Sequence, residues 1–253
     1  MQLPILLNLP DARSVFQEVV ADLPEDVDVY LIGGAIRNAL YYQHFGERLR
    51  QRDYDQVATK NSRRYLDFLR SKGFIEGGIV RADQIILCKA LVENPEPQGY
   101  DDTVVFDIHP LDGTTAIDNL KNHVGLSING FALSLRDIYA PDWINRIIEL
   151  PNAKSDLAAK QMRVNKSGYQ SDPAYLFSII RFMSAGFTPP PQDELKLLLN
   201  ELPKLETKRF GKNIQKLYNY VGGEAKARRL AAMLGIKGDI FDEGIVKRGG
   251  VII

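Results

Sequence analysis

Two aspartates and a pair of glycines carry the clearest chemistry in this sequence. Asp53 and Asp55 are two residues apart in the segment RDYDQV at 52–57. Residues two apart on a strand share a face, so we expect both carboxylates to point to the same side. Hard carboxylate oxygens suit Mg²⁺, which usually joins one or two carboxylates to substrate phosphates. The spacing predicts a site for two Mg²⁺ ions, which can activate a hydroxyl group and stabilise a leaving pyrophosphate.

The glycine pair predicts a phosphate-binding turn. Gly33 and Gly34 follow the apolar run VYLI at 29–32, and without a Cβ the backbone can approach a phosphate closely. The helix expected next directs its free N–H groups to the same place, which favours an anion. Arg37, near the start of that helix, adds a positive charge. We therefore expect these three residues to bind the triphosphate of a nucleotide.

Neither motif is specific alone, because the chain repeats both. A second Asp-x-Asp occurs at Asp26 and Asp28, and further Gly-Gly pairs occur at 77–78, 222–223 and 249–250. Each motif is also compatible with a surface turn or a charged strand end. It is the order of strand, glycines, helix and acidic strand that favours a nucleotide site.

The elements that would position these residues fall into two parts. Up to about residue 140 strands and helices alternate, with strands predicted at 29–32, 53–58, 84–89, 104–108 and 130–135 and a helix at 62–71. The segment 91–102 is rich in proline, glycine and acidic residues and predicts a loop. From residue 156 onward the pattern is helical, at 156–163, from 172, and at 192–200, 209–221 and 224–234. We therefore predict an α/β (α+β) head with a mixed sheet at 1–145, followed by an all-helical domain at 146–253.

Composition limits the classes of protein and partner. The 253 residues have a formal net charge of zero, so no global field attracts nucleic acid, and any RNA contact must use local Lys and Arg clusters. A single cysteine excludes an internal disulfide, and the three histidines do not have zinc spacing. No stretch reads as a membrane span or a signal peptide, so we expect a cytoplasmic protein without a membrane partner.

The order of motifs resembles the tRNA nucleotidyltransferases of the bacterial and eukaryotic type, the CCA-adding enzymes and their poly(A) polymerase relatives. That family opens with a GGxVRD turn and a DxD strand followed by LAT, and this chain has GGAIRN at 33–38 and DYDQVAT at 53–59. The family's RRDFTINA segment resembles HVGLSING at 123–130, and its EDxxRxLRxxRF helix resembles SDPAYLFSIIRF at 171–182. The resemblance covers about residues 25–235. It implies the family's head and neck, with the longer C-terminal body and tail mostly missing.

The resemblance implies roles for individual residues. Asp53 and Asp55 would bind the metals, and a later acidic strand residue often completes such a site. Asp107, in VFDI at 105–108, is the candidate, although a simple strand-end acid is the alternative. The implied nucleotide-binding residues are Gly33, Gly34, Arg37, Asn129, Asp172, Tyr175 and Arg181.

Several positions depart from the family pattern. Asn38 replaces an aspartate, Gly125 stands at the ribose-reading aspartate, and Tyr175 replaces the arginine that, with an aspartate, reads the base. Loss of that arginine removes a bidentate donor, while a tyrosine ring stacks on any base. We therefore expect relaxed selection among the nucleoside triphosphates, with at most a mild preference for ATP or CTP. Asp172 is either a base reader or the N-cap of a helix with Pro173 at its first position.

Together, the residues and the resemblance predict a Mg²⁺-dependent, template-independent nucleotidyltransferase. It would add nucleotides to the 3′-OH of an RNA, such as a tRNA during processing, and release pyrophosphate. One alternative is a weak or inactive family member that binds RNA or a protein. Another is a small-molecule nucleotidyltransferase, which the helical second part disfavours. The sequence sets no oligomeric state.

Overall fold

The computed structural model describes residues 10–49, 53–81, 84–91 and 103–252. They form two compact units. The first comprises the described residues up to 120 together with 129–150, and the second comprises 121–128 with the described residues from 151 onward. The domain boundary predicted between residues 145 and 146 stays a prediction about the division of function. The loop predicted at 91–102 lies, apart from Leu91, outside the described residues.

The first unit is built on a mixed sheet. Its seven strands are β1 (Asp28–Ile32), β2 (Tyr54–Lys60), β3 (Ile75–Arg81), β4 (Gln84–Ala90), β5 (Thr103–Pro110), β6 (Phe131–Ser134) and β7 (Ile148–Glu149), in the order β3-β4-β5-β2-β1-β6-β7. Only the β2–β5 pair is parallel among the described strands, and the other pairs are antiparallel. Its helices are α1 (Pro10–Ala21), α2 (Gly34–Phe45) and α3 (Ser62–Ser71), and α4 (Ala116–His123) begins there.

An aromatic core fixes which way the central strands face. Tyr54 on β2 and Phe106 on β5 are register partners and are buried. The ring of Phe16, on α1, packs against both, with centroid distances of 4.8 Å to Tyr54 and 5.0 Å to Phe106. Successive residues of a strand point to opposite faces. The next residue along each strand, Asp55 and Asp107, therefore projects from the other face of the sheet.

The second unit is helical. Its helices are α5 (Ala153–Ala158), α6 (Tyr175–Met183), α7 (Gln192–Glu201), α8 (Thr207–Val221), α9 (Glu224–Ala232) and α10 (Glu243–Lys247). The α6 helix buries Leu176, Phe177, Ile179 and Ile180, and the Phe177 ring packs 5.7 Å from that of Phe210 on α8. The predicted fold class, a mixed-sheet unit followed by a helical one, is confirmed. In the part of the chain that the structure describes, no helix has the length and apolar character needed to cross a bilayer.

Two predicted helices have different bounds. The helix predicted at 156–163 is wrong, because α5 ends at Ala158 and Lys160 adopts a positive φ of 49° that a helix does not allow. The helix predicted to start at Asp172 begins at Tyr175, with Ala174 as its N-cap. Asp172 is therefore not the N-cap. The strands β3 and β7 were not predicted, since β3 contains two glycines and β7 has two residues.

Candidate active site

The glycine turn between β1 and α2 faces an acidic side chain. Gly33 is the N-cap of α2 with φ 65° and ψ −115°, a conformation that disfavours residues with a Cβ. A Cβ placed there would lie 3.9 Å from a carboxylate oxygen of Asp55 and 3.9 Å from the backbone oxygen of Asn129. The Gly33 N–H donates to the Phe131 carbonyl at 2.9 Å. The helix start that can attract an anion is thus next to the acid predicted to bind metal.

Two of the predicted acids lie side by side on neighbouring strands. Asp55 on β2 is the direct register partner of Asp107 on β5 in the parallel ladder. Both side chains are half-buried. Asp53 is exposed and lies in the residue immediately before β2, rather than inside the strand. The sheet therefore brings Asp107, from a strand about fifty residues later in the chain, to Asp55.

The environment of Asp107 disfavours its negative charge. Burial raises the pKa of the Asp107 carboxyl and the charge of Asp53 adds to the rise, while His109 and a hydrogen bond from Gln84 oppose it. Gln84 Nε2 donates to Asp107 Oδ2 at 2.6 Å, and His109 Nε2 lies 3.7 Å from Oδ1. That Oδ1 is buried and accepts no hydrogen bond from the described residues. A carboxylate with an unused oxygen beside two other acids is suited to a cation.

These acids fit Mg²⁺ better than a metal that needs a complete protein cage. Among the described residues, no group of three or more His, Cys, Asp and Glu side chains is arranged to hold a metal ion by itself. Mg²⁺ does not need such a group, because it takes one or two carboxylates and completes its shell with water and substrate phosphates. The pair Asp55 and Asp107, with Asp53 nearby, meets that requirement.

Arg37 is buried beneath the glycine turn. Its side chain is 6% exposed, and its guanidinium donates to Asn38 Oδ1 from Nε at 3.1 Å and from Nη2 at 2.8 Å. A third donor, Nη1, bonds to Asn129 Oδ1. Arg37, Asn129 and the glycine turn therefore form one cluster, as the sequence predicted. Because its donors are held by the two asparagines, the guanidinium acts on an anion through its charge and by fixing the turn.

The remaining predicted nucleotide-binding residues lie in the second unit. Asp172 Oδ1 accepts a hydrogen bond from the Ala174 N–H and forms an ion pair with Arg209 Nη2, both at 3.0 Å. The Tyr175 hydroxyl donates to the His123 carbonyl at 2.8 Å. Arg181 lies on the rings of Phe182 and Tyr220, with distances of 4.8 Å and 5.3 Å to their centroids. Asp172 and Tyr175 are thus neighbours in one segment, whereas Arg181 packs among aromatic rings.

The sequence analysis missed three residues that contact the predicted ones: Gln84, His109 and Arg209. Gln84 and His109 contact Asp107. The pairing of β4 with β5, which places Ile86 opposite Asp107, could have pointed to Gln84, because it lies two residues away on the same face. Arg209 is on α8, 37 positions after Asp172, and no local spacing signals that contact.

A separate cleft of about 740 Å³ opens at the other end of β1. Asp28, Lys60, Asp112 and Ile148 are among its lining residues. It contains none of the predicted site residues, so it is distinct from the acidic cluster beside Gly33.

Comparison with known proteins supports the resemblance at the level of fold. No protein-family model matches the chain, and no curated protein matches its sequence. Solved structures do match. The Thermotoga maritima CCA-adding enzyme in complex with tRNA is 17% identical, with a TM-score of 0.63 over 91% of this chain and 53% of that one.

Two further matches are nucleotide complexes of a CCA-adding enzyme. The CTP complex is 20% identical with a TM-score of 0.62, over 97% of this chain and 55% of that one. The ATP complex is 20% identical with a TM-score of 0.60, over 97% and 56%. This chain thus spans a little over half the length of these enzymes. At such identities the likeness concerns the fold, and the fold of this chain is that of the CCA-adding tRNA nucleotidyltransferases.

Proposed function

We propose that this protein is a Mg²⁺-dependent RNA nucleotidyltransferase. The observation that carries the proposal is the pairing of Asp55 with Asp107 on adjacent strands, beside the Gly33 turn at the start of α2. This arrangement offers anion-binding N–H groups and cation-binding carboxylates in one place. A nucleoside triphosphate carrying Mg²⁺ presents the complementary charges.

In this proposal Asp53, Asp55 and Asp107 hold Mg²⁺, and the N–H groups at the start of α2 orient the triphosphate. The 3′ oxygen of the acceptor attacks the α-phosphorus, the bond from that phosphorus to the bridging oxygen breaks, and pyrophosphate leaves. Bound Mg²⁺ lowers the pKa of the attacking hydroxyl and neutralises charge on the leaving group. The buried Arg37 charge stabilises the same phosphates electrostatically.

The proposed substrates are CTP or ATP and the 3′ end of a tRNA. The support is the fold shared with structures described as complexes of CCA-adding enzymes with CTP, with ATP and with tRNA. The same support makes the 3′-OH of an RNA a better acceptor than a small molecule.

A test uses purified protein, Mg²⁺, each labelled nucleotide and a tRNA lacking its last three nucleotides. We expect a longer RNA on a gel and release of one pyrophosphate per nucleotide added. The matched control is the same RNA ending in a 3′-phosphate, which has no nucleophile and should not be extended. Absence of extension with Mg²⁺ and with Mn²⁺, for every RNA tried, would contradict the proposal and favour a binding protein.

A further inference from the structure

Asp172 and Arg209 form an ion pair that is open to solvent on one side. Arg209 Nη2 lies 3.0 Å from Asp172 Oδ1, and the two side chains are 35% and 37% exposed. Arg209 is the third residue of α8, and Asp172 precedes α6. The pair thus joins two separate helices of the second unit and still presents its polar atoms outward.

The surroundings hold the pair in place. Asp172 Oδ1 also accepts the Ala174 N–H at 3.0 Å, which fixes the carboxylate on the chain that leads into α6. Phe210, next to Arg209, is buried, and its ring packs 5.7 Å from Phe177 on α6. This packing fixes the start of α8 against α6. The donor and the acceptor therefore have a set relative position.

The pair keeps spare hydrogen-bonding capacity. A guanidinium carries five N–H donors and a carboxylate has two oxygens, each with lone pairs. The contact between the two residues uses one donor and shares one oxygen. The outward side therefore offers a carboxylate acceptor next to guanidinium donors, which is the complement of a planar group that presents a donor beside an acceptor.

We propose that Arg209, together with Asp172, selects the base of the incoming nucleotide. The inference rests on the proposed function. Adenine and cytosine each present an amino group beside an unprotonated ring nitrogen, so the amino group donates to Asp172 and the ring nitrogen accepts from Arg209. Guanine and uracil present a carbonyl beside a ring N–H, which sets acceptor against acceptor and donor against donor.

Tyr175 does not supply this donor. Its hydroxyl donates to the His123 carbonyl at 2.8 Å, and its ring lies against Gly125. The sequence predicted relaxed selection because position 175 has no arginine. In the fold, Arg209 brings a guanidinium to Asp172 from another helix, and this changes the expectation to selection for CTP and ATP.

The test compares Arg209→Lys with the wild-type chain. Lysine keeps the charge and can still pair with Asp172, but it lacks the planar fork that a base edge requires. A matched control is Arg228→Lys, since Arg228 is also a surface arginine of the second unit, paired with Glu224 and Asp239 at 2.7 Å each. Two readouts are needed: competitive incorporation of the four nucleotides into tRNA lacking its 3′ end, and calorimetric binding of each nucleotide without RNA.

We expect the wild-type and Arg228→Lys chains to favour CTP and ATP over UTP and GTP by about 10- to 100-fold in both readouts, the usual range for one bidentate contact to a base. Arg209→Lys should bring that ratio close to one with an unchanged melting temperature. A purely structural ion pair would instead change the melting temperature and leave the ratio intact.

The two proposals fail in different ways. Nucleotide binding that depends on Arg209, without any transfer to RNA, contradicts the proposed function and supports this inference. Transfer with equal use of all four nucleotides, or with a ratio that Arg209→Lys does not change, contradicts the inference alone. A wild-type chain that binds none of the four nucleotides contradicts both.

Discussion

The ring of Tyr175 occupies the space that a side chain at Gly125 would need. A Cβ placed on Gly125 would lie 2.1 Å from Cε2 of Tyr175, far inside van der Waals contact. The tyrosine is held there by the hydrogen bond from its hydroxyl to the His123 carbonyl. The two positions at which this chain departs most from its structural relatives' motif therefore fit each other, and neither can be restored alone without a clash.

This contact predicts strong coupling between the two positions. Gly125→Ala should destabilise the protein by about 1–3 kcal/mol, because overpacking displaces the ring or the backbone. In the Tyr175→Ala background the same substitution should cost much less, so the double-mutant cycle should show an interaction of at least about 1 kcal/mol. Urea denaturation of the four proteins measures it.

The control for that cycle is Gly211→Ala. Gly211 lies inside α8, and a Cβ there meets nothing within 4 Å. Alanine should stabilise this helix by about 0.5–1 kcal/mol. Additive effects of Gly125→Ala and Tyr175→Ala would show that the ring does not rest on Gly125.

A second prediction separates the two glycines of the turn. Gly33 has φ 65° and should tolerate alanine poorly, with a loss of about 1–3 kcal/mol in the free energy of unfolding. Gly34 has no positive φ, and a Cβ there would make an ordinary contact 3.5 Å from Arg37 Nη2. Gly34→Ala should therefore change stability by less than about 1 kcal/mol. Thermal and urea unfolding of both variants checks the difference, and an equal effect at both positions would contradict the geometry.

A third prediction concerns Asp107. Burial and a neighbouring acid disfavour its charge, so Asp107→Asn should leave stability unchanged or raise it by about 1 kcal/mol at neutral pH. The amide keeps an acceptor for Gln84, which now donates to Oδ2. Denaturation measures stability, and nucleotide transfer should fall steeply in the same variant. A large loss of stability would indicate a structural acid at the end of a strand.

Local pattern predicted much of the fold. The helix at 62–71 and the five strands predicted in the first unit are present, because apolar periodicity and turn residues act over a few positions. What failed depends on non-local pairing. The edge strand β3 contains Gly77 and Gly78 and is recognised only through its partner β4, and α5 ends early where Gln161 pairs with Thr188 instead of continuing the helix.

The candidate site divides in the same way. Gly33, Gly34 and Asp55 follow from short motifs that carry their own geometry. The position of Asp107 next to Asp55 depends on the parallel pairing of β2 with β5, and sequence could offer it only as a candidate. Arg209 reaches Asp172 through the packing of α8 on α6. No spacing rule contains that contact, so only the fold reveals the guanidinium that position 175 lacks.

The most direct test of the acidic site compares three single variants in one extension assay. Asp55→Asn and Asp107→Asn remove carboxylates from the proposed metal site, whereas Asp28→Asn changes the chain's other Asp-x-Asp, at the far end of β1. With Mg²⁺, labelled CTP or ATP and tRNA lacking its 3′ end, we expect the wild-type and Asp28→Asn proteins to extend the RNA. The two site variants should lose at least about a hundredfold in rate, the size of effect seen when one group that stabilises transition-state charge is removed. Extension by Asp55→Asn or Asp107→Asn at the wild-type rate would contradict the account.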